Sequence, residues 1–326
     1  MGRETRHPYS ALAPLVGALV TLMLGVNSRF SGLVGNLVAT LVIHMVGLAA
    51  VSAVLLVKGE EARPGRLPAY YYLGGFVGVA TVFSSNYVFA ALGASLAVAL
   101  ALLGQTLFSV AADATGFLGR RKYPLSARSL PGIGLAIVGA AVIGAAAVGH
   151  SVAAGNWRAS SLAMLLALAA GALPGLSFVL NSELGRMKGI LRSTRVNYLV
   201  GLATTLVIVA AVRPPAADAA RAVVAAGPFL ALGGGLMGVV VVAAMNMIFS
   251  RMTAFSATLL LFSGQALTGV LFDVVAEAAF DVRKLVGTFV LLAGLAINAL
   301  LSRRGRTGGV RRVGDQPKGG AVVSQR

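Results

Sequence analysis

The chain has 326 residues, 57% of them hydrophobic and 11% charged, with a mean hydropathy of +0.86, whereas ordinary soluble domains carry roughly 25% charged residues. A soluble globular protein is excluded, because apolar runs recur that are long enough to cross a hydrocarbon core about 30 Å thick. The net charge of +17 sits in short loops and a tail beside those runs, so it reads as a membrane-topology signal rather than a nucleic-acid surface.

In chain order, membrane-spanning helices are predicted at 9–28, 35–57, 69–91, 95–117, 129–149, 159–181, 190–212, 228–250, 253–275 and 284–302. The segments are long, continuous and rich in Ala, Leu, Val and Gly, without the ten-residue alternation of a transmembrane barrel. The expected fold is an all-α integral membrane protein of ten transmembrane helices. A short segment, 1–8, precedes the first span, and its Arg3 and Arg6 could be mistaken for the start of a signal peptide. The basic, Gly-rich stretch 303–326 reads as a structureless tail anchored near anionic lipid. Cysteine is absent, which removes a disulfide framework, a thiolate metal site and a cysteine nucleophile.

Sorting Lys and Arg by side places 21 with the N-terminus and 6 opposite, so both termini are expected in the cytoplasm. The inner membrane of a bacterium is the expected location.

Internal repetition is the most informative feature. Gly17, Asn27, Ser28 and Gly47 recur as Gly171, Asn181, Ser182 and Gly201 at a separation of 154. At a separation of 160, Gly74, Gly75, Gly78, Asn86, Phe89, Gly104, Gln105 and Asp113 recur as Gly234, Gly235, Gly238, Asn246, Phe249, Gly264, Gln265 and Asp273. Fifteen of the 41 pairs from residue 74 to 114 are identical. A third block at 155 pairs Arg128, Leu130, Gly132 and Gly139 with Arg283, Leu285, Gly287 and Gly294. The chain is therefore a duplicated five-span unit, 9–149 and 159–302, joined by an external linker at 150–158. Five is odd, so the second unit begins on the opposite side of the membrane, giving two inverted five-helix repeats of the kind on which secondary transporters are built. The recurrence also makes the first segment a retained span rather than a leader.

The Gly-bearing first span ending in GVNSRF, the Gly-Gly third span, and a Gly-Gln pair followed eight residues later by Asp resemble the YdcZ family of the drug/metabolite transporter superfamily, in a fused two-unit form. The resemblance covers nearly the whole chain except the tail. It implies an inverted-repeat inner-membrane transporter with a substrate cavity between the halves, and export as the direction. The related small multidrug transporters carry a Glu in the middle of the first span; neither 9–28 nor 159–181 has a carboxylate there.

Polar residues inside spans are costly and default to functional candidates. Gln105 and Gln265, near the middle of the fourth and ninth spans, offer donors and an acceptor to a substrate; the competing role is an interhelical hydrogen bond. Asn86 and Asn246 are further substrate-binding candidates. Asp113 and Asp273, two turns along the same helices, are candidates for gating or coupling, against a helix-end ion pair such as Asp113 with Arg120 and Arg121. His44 could exchange protons near neutral pH, though a satisfied buried histidine is the simpler reading. Asn27, Ser28, Asn181 and Ser182 are expected to close helix ends. Gly74 with Gly78, and Gly234 with Gly238, form small-residue faces for close helix packing. Pro14 with Gly17, and Gly171 with Pro174, are expected to break or hinge the first and sixth spans.

The leading function is a secondary transporter for a small polar or amphipathic metabolite or drug-like molecule, working by alternating access. The alternative is a membrane scaffold without a transport site. An enzyme is not expected, since HExxH, GxSxG and clustered carboxylates are all missing, and no GxxxxGKS loop provides for ATP. No cofactor and no metal are expected; the partners are the substrate and the lipid bilayer, with a monomer as default and a homodimer as the alternative.

Overall fold

The computed structural model describes residues 8–60, 66–119, 122, 127, 130–153, 157–276 and 282–309. Every regular element among them is helical. The order is α1 (Pro8–Val34), α2 (Asn36–Lys58), α3 (Gly74–Leu92), α4 (Ala94–Thr115), α5 (Leu130–Ala153), α6 (Trp157–Ala170), α7 (Ala172–Lys188), α8 (Ile190–Val212), α9 (Ala216–Ala226), α10 (Pro228–Arg251), α11 (Ala254–Ala276) and α12 (Val282–Gly309). A 3₁₀ turn, Ala69–Leu73, leads into α3. Seven stretches are long and apolar enough to cross a membrane, and shorter apolar runs lie in α5, α11 and α12 at Leu130–Gly139, Ser256–Phe272 and Leu285–Gly294.

Several boundaries differ from the sequence reading. Helix α1 continues past Ser28 to Val34 and stops only before Gly35, whose φ of 82° suits a residue without Cβ. Asn27 and Ser28 therefore lie inside a helix rather than at its end, and so do Asn181 and Ser182 in α7. Pro14 does not break α1, which is helical throughout; packing against a neighbour lets a spanning helix tolerate a proline. The interruption falls in the sixth span, at Gly171 between α6 and α7. Gly171 keeps right-handed angles (φ −58°, ψ −26°) and its N–H still reaches the Ala167 carbonyl at 2.9 Å, so the feature is a bend and not an unwound segment. Pro174 lies in the first turn of α7, where a missing N–H is least costly. Helix α9 lies between the predicted spans 190–212 and 228–250, where AADAARAVVAA is amphipathic. Its Val223 and Ala226 pack on the cluster of Phe30, Ala39 and Ala231. Helix α12 runs to Gly309, into the stretch read as a structureless tail. Residues 1–7 and 310–326, the 154–156 part of the linker, and Arg120 with Arg121 lie outside the described residues.

The two halves interlock instead of standing side by side. Helix α1 packs on α10 and α11, while its counterparts α6 and α7 pack on α3 and α4; α2 crosses α8, and α5 crosses α12. Glycines set each crossing, and they do so in matched pairs. A Cβ on Gly17 would meet the backbone of Leu261 and one on Gly264 the backbone of Pro14. At the equivalent positions, Gly171 meets Ala101 and Gly104 meets Leu168. Gly139 of α5 faces the Gly287 carbonyl, and Gly294 of α12 faces the Gly132 carbonyl, both at 2.7 Å from an added Cβ. Two apolar clusters fill the space between crossings: Val88, Phe89, Leu96, Leu102, Phe262 and Leu291 in one, and Val16, Val179, Met245, Ile248, Phe249 and Leu261 in the other.

Candidate functional site

Three groups of buried polar side chains stand out. At the heart of the α4–α11 contact, Ser109 and Thr258 share a hydrogen bond of 3.0 Å. Gln105 and Gln265 are buried on the same two helices. Each follows the glycine that crosses the opposite unit, so Gln105 faces Gly175 of α7 and Gln265 faces α1, where its backbone carbonyl accepts from Thr21 Oγ1 at 3.2 Å. Gln105 Nε2 has no partner among the described residues, and no hydrogen bond there joins the two glutamines. A void of about 10 Å³ lies where α4, α5, α11 and α12 meet, lined by Leu102, Leu103, Thr106, Ala136, Phe262 and Leu291, with neither glutamine in its lining. It sits at the lower limit for a single water molecule, roughly 10–15 Å³.

A second group gathers where α1, α2 and α3 meet. Asn36 Nδ2 donates to the Phe83 carbonyl at 2.9 Å, Asn86 Nδ2 donates to Asn36 Oδ1 at 3.1 Å, and Ser28 Oγ donates to the Asn86 carbonyl at 3.4 Å. Beside it, Asn27 is buried with its Oδ1 against the bare face of Gly234 and without a partner among the described residues.

The third group is the counterpart in the second unit, between α3, α7, α8 and α10. Asn181 Nδ2 donates to Asn197 Oδ1 at 2.7 Å and to Ser177 Oγ at 3.2 Å. Ser177 Oγ donates to the Gly74 carbonyl at 2.9 Å, and Ser193 Oγ to the Asn181 carbonyl at 2.6 Å. Asn246 Nδ2 donates to Thr194 Oγ1 at 3.3 Å, and Thr194 donates onward to the Ile190 carbonyl at 2.8 Å. Asn181 and Asn27 are repeats of each other, yet Ser177, Ser193 and Asn197 correspond to Met23, Ala39 and Ile43. The first unit has the asparagine without these partners.

His44 and Tyr198 also occupy equivalent positions, and they meet edge to face at the α2–α8 crossing with centroids 5.9 Å apart. His44 Nδ1 lies 2.8 Å from the Thr40 carbonyl, which only accepts, so the proton is on Nδ1. Gly201 backs the imidazole and Gly47 the phenol ring. Gly74, Gly75, Gly234 and Gly235 make tight contacts with the facing unit, whereas Gly78 has ordinary clearance, 3.7 Å from an added Cβ to Asn197 Oδ1. Asp113 is buried near the end of α4; the side chain of Asp273 lies outside the described set, as do the arginines proposed to pair with Asp113. Among the described residues, no group of three or more His, Asp or Glu could hold a metal ion.

One contact has no herald in the sequence. The Glu60 carboxylate, in the loop after α2, accepts from the N–H groups of Arg192 (2.9 Å) and Leu191 (3.4 Å) at the start of α8. The Arg192 guanidinium in turn donates to the Glu60 carbonyl at 2.6 and 3.0 Å. An anion at a helix N-terminus satisfies free donors and complements the dipole. At the equivalent site before α2, a Cβ added at Gly35 meets nothing within 4 Å, whereas one at Gly189 meets the Glu60 carboxylate.

Comparison with known proteins follows the same division of the chain. Residues 8–142 and 162–297 each match the family described as "Putative inner membrane exporter, YdcZ". The chain is also similar to a solved crystal structure of a protein, with 19% identity and a TM-score of 0.60 over 90% of this chain and 98% of that one, which shows a shared fold. No curated protein matches the chain.

Proposed function

The chain belongs to the YdcZ family, and from that premise we propose that it is a secondary transporter of ten spans, arranged as two inverted five-helix repeats that move a small polar or amphipathic molecule by alternating access. The seven long apolar stretches and the family make it a multi-pass inner-membrane protein. The observation that carries the mechanism is the exchange of glycine crossings, Gly17 and Gly264 against Gly171 and Gly104. Each unit's first span rests bare backbone on the other unit's fourth, so rocking one unit changes both contacts together. The charge distribution supports cytoplasmic termini, and the family supports export. Gln105 and Gln265, beside those crossings, are the midplane contacts of this reading.

The test is a thermal-stability screen of purified protein against metabolites and drug-like compounds, repeated on Gln105→Ala and Gln265→Ala. A ligand at about 100 times its Kd adds roughly 2.7 kcal/mol to the folded state. Shifts seen in the parent and lost in both variants, followed by counterflow in proteoliposomes, support the reading. Absence of any saturable ligand favours a scaffold.

A further inference from the structure

Asn86 and Asn246 end their hydrogen-bond relays in the same way. In the first unit the Phe83 carbonyl accepts a hydrogen bond from Asn36 Nδ2, which turns Asn36 Oδ1 toward Asn86 and commits Asn86 Nδ2 to it. In the second, the Thr194 hydroxyl donates to the Ile190 carbonyl, so its oxygen accepts and commits Asn246 Nδ2. Backbone carbonyls cannot donate, so neither carboxamide can flip without breaking its relay. Both Oδ1 atoms are left as acceptors, fully buried and without a partner among the described residues. The anchors are not inherited copies. Asn36 corresponds to Ile190 in the second unit, and the counterpart of Thr194, Thr40, donates to the Asn36 carbonyl and is not joined to Asn86. Two different relays thus hold equivalent asparagines in one orientation, which an incidental packing defect does not require.

We propose that Asn86 and Asn246 form a matched pair of substrate contacts, one per unit, for an uncharged molecule that carries a hydroxyl or amide N–H donor. The proposal rests on the transporter reading. An acceptor oxygen aimed away from its relay selects a donor, and neither relay contains an ionisable group. A cation there has no counter-charge within the relay to offset its desolvation, whereas a neutral donor needs none. Asn36 and Thr194 are positioning residues, since they act on the ligand through the asparagines.

The probe is a panel of matched sets, each one alkyl or aryl body carried as primary amide, N,N-dimethylamide, alcohol, methyl ether and ammonium. Binding is read by thermal stability and titration on the full chain in detergent, and hits are taken to counterflow in proteoliposomes. The expected result is binding by the amides and alcohols, with affinity at least about tenfold lower for the donor-free and ammonium forms. Asn86→Leu and Asn246→Leu, checked for unchanged elution by size-exclusion chromatography, lose this discrimination. Thr194→Val weakens amide binding and Thr194→Ser restores it, which separates positioning from general damage. Should either leucine variant misfold, Thr194→Val against Thr194→Ser carries the test alone. Preference for the ammonium or donor-free forms, or discrimination intact in well-folded variants, overturns the proposal while leaving a transporter in place. If neither the panel nor the broader screen yields a ligand, both readings fall.

Discussion

Gly264→Ala is the most direct probe of how the two units meet. The added methyl would lie 2.7 Å from the Pro14 carbonyl carbon and 2.8 Å from the Ala18 nitrogen, and closer still to the Pro14 carbonyl oxygen. All three are backbone atoms of α1, so no side chain can turn away, and α1 and α11 must separate. Overpacking of this kind costs about 1–3 kcal/mol. Gly134, on α5, supplies the control: an added Cβ there meets nothing within 4 Å, and alanine in a helix interior gains about 0.5–1 kcal/mol over glycine. Thermal unfolding in detergent should therefore place Gly264→Ala several degrees below the parent and Gly134→Ala at or above it. Gly104→Ala, whose methyl would lie 3.0 Å from the Leu168 carbonyl carbon and 3.2 Å from Gly171 Cα, should fall with Gly264→Ala. Equal melting of Gly264→Ala and Gly134→Ala would refute the close-crossing argument.

Equivalent asparagines should respond unequally. Asn181→Ala strands Asn197 Oδ1 and is expected to lower stability by about 1–2 kcal/mol, whereas Asn27→Ala removes an oxygen that already lacks a partner and should be near neutral; comparable losses in the two melting curves would contradict this. Glu60→Gln should weaken the tie between the α2–α3 loop and the start of α8 by roughly 0.3–1 kcal/mol. The chain has no cysteine, so Ser193→Cys, buried one residue beyond Arg192, reports opening by its rate of reaction with a hydrophilic maleimide. Adding Glu60→Gln should speed that reaction several-fold, and an unchanged rate removes the tie as a latch. Gly35 and Gly189 both hold positive φ, at 82° and 104°, but only Gly189 also faces the Glu60 carboxylate, so chemical denaturation should find Gly189→Ala the less stable of the two alanine variants.

Much of this architecture was legible because it is written in period and spacing. The apolar runs located the long helices, seven of them with stretches able to cross a membrane, and the separations of 154, 160 and 155 paired Gly17 with Gly171, Gly104 with Gly264 and Gly139 with Gly294. The candidate site was less legible, because its partners depend on which helix lies opposite. Nothing local in Asn36 or Thr194 announces a relay to Asn86 or Asn246, and Glu60 reaches Arg192 across 132 positions. Some of it had a readable signal: Ser177 with Asn181, and Ser193 with Asn197, are polar pairs at helical i, i+4 spacing on apolar helices, the pattern of a buried polar seam. Helix ends were misjudged at Ser28 and Ser182 because polar residues read as caps, while the interlocked packing buries both.

The repeats have kept their packing and changed their polar chemistry, and the difference bears on the proposed cycle. If the two units were identical, exchanging their conformations would produce an opposite-facing state of equal energy. Each divergence at an exchanged position biases that equilibrium. The glycine crossings are matched pair for pair, so they leave it balanced. The Asn181 network is not: its four hydrogen bonds have no equivalent around Asn27, where Met23, Ala39 and Ile43 offer no side-chain partner. Glu60 adds to the same imbalance, because a Cβ added at Gly35, the equivalent position before α2, meets nothing within 4 Å. Interhelical hydrogen bonds in membranes contribute about 0.6 kcal/mol on average, so losing two or three of them in the exchanged state shifts a two-state ratio by roughly tenfold or more. A cycle can proceed against that bias when a ligand supplies donors to acceptors left free in the resting state, and Asn27, Asn86 and Asn246 each hold one.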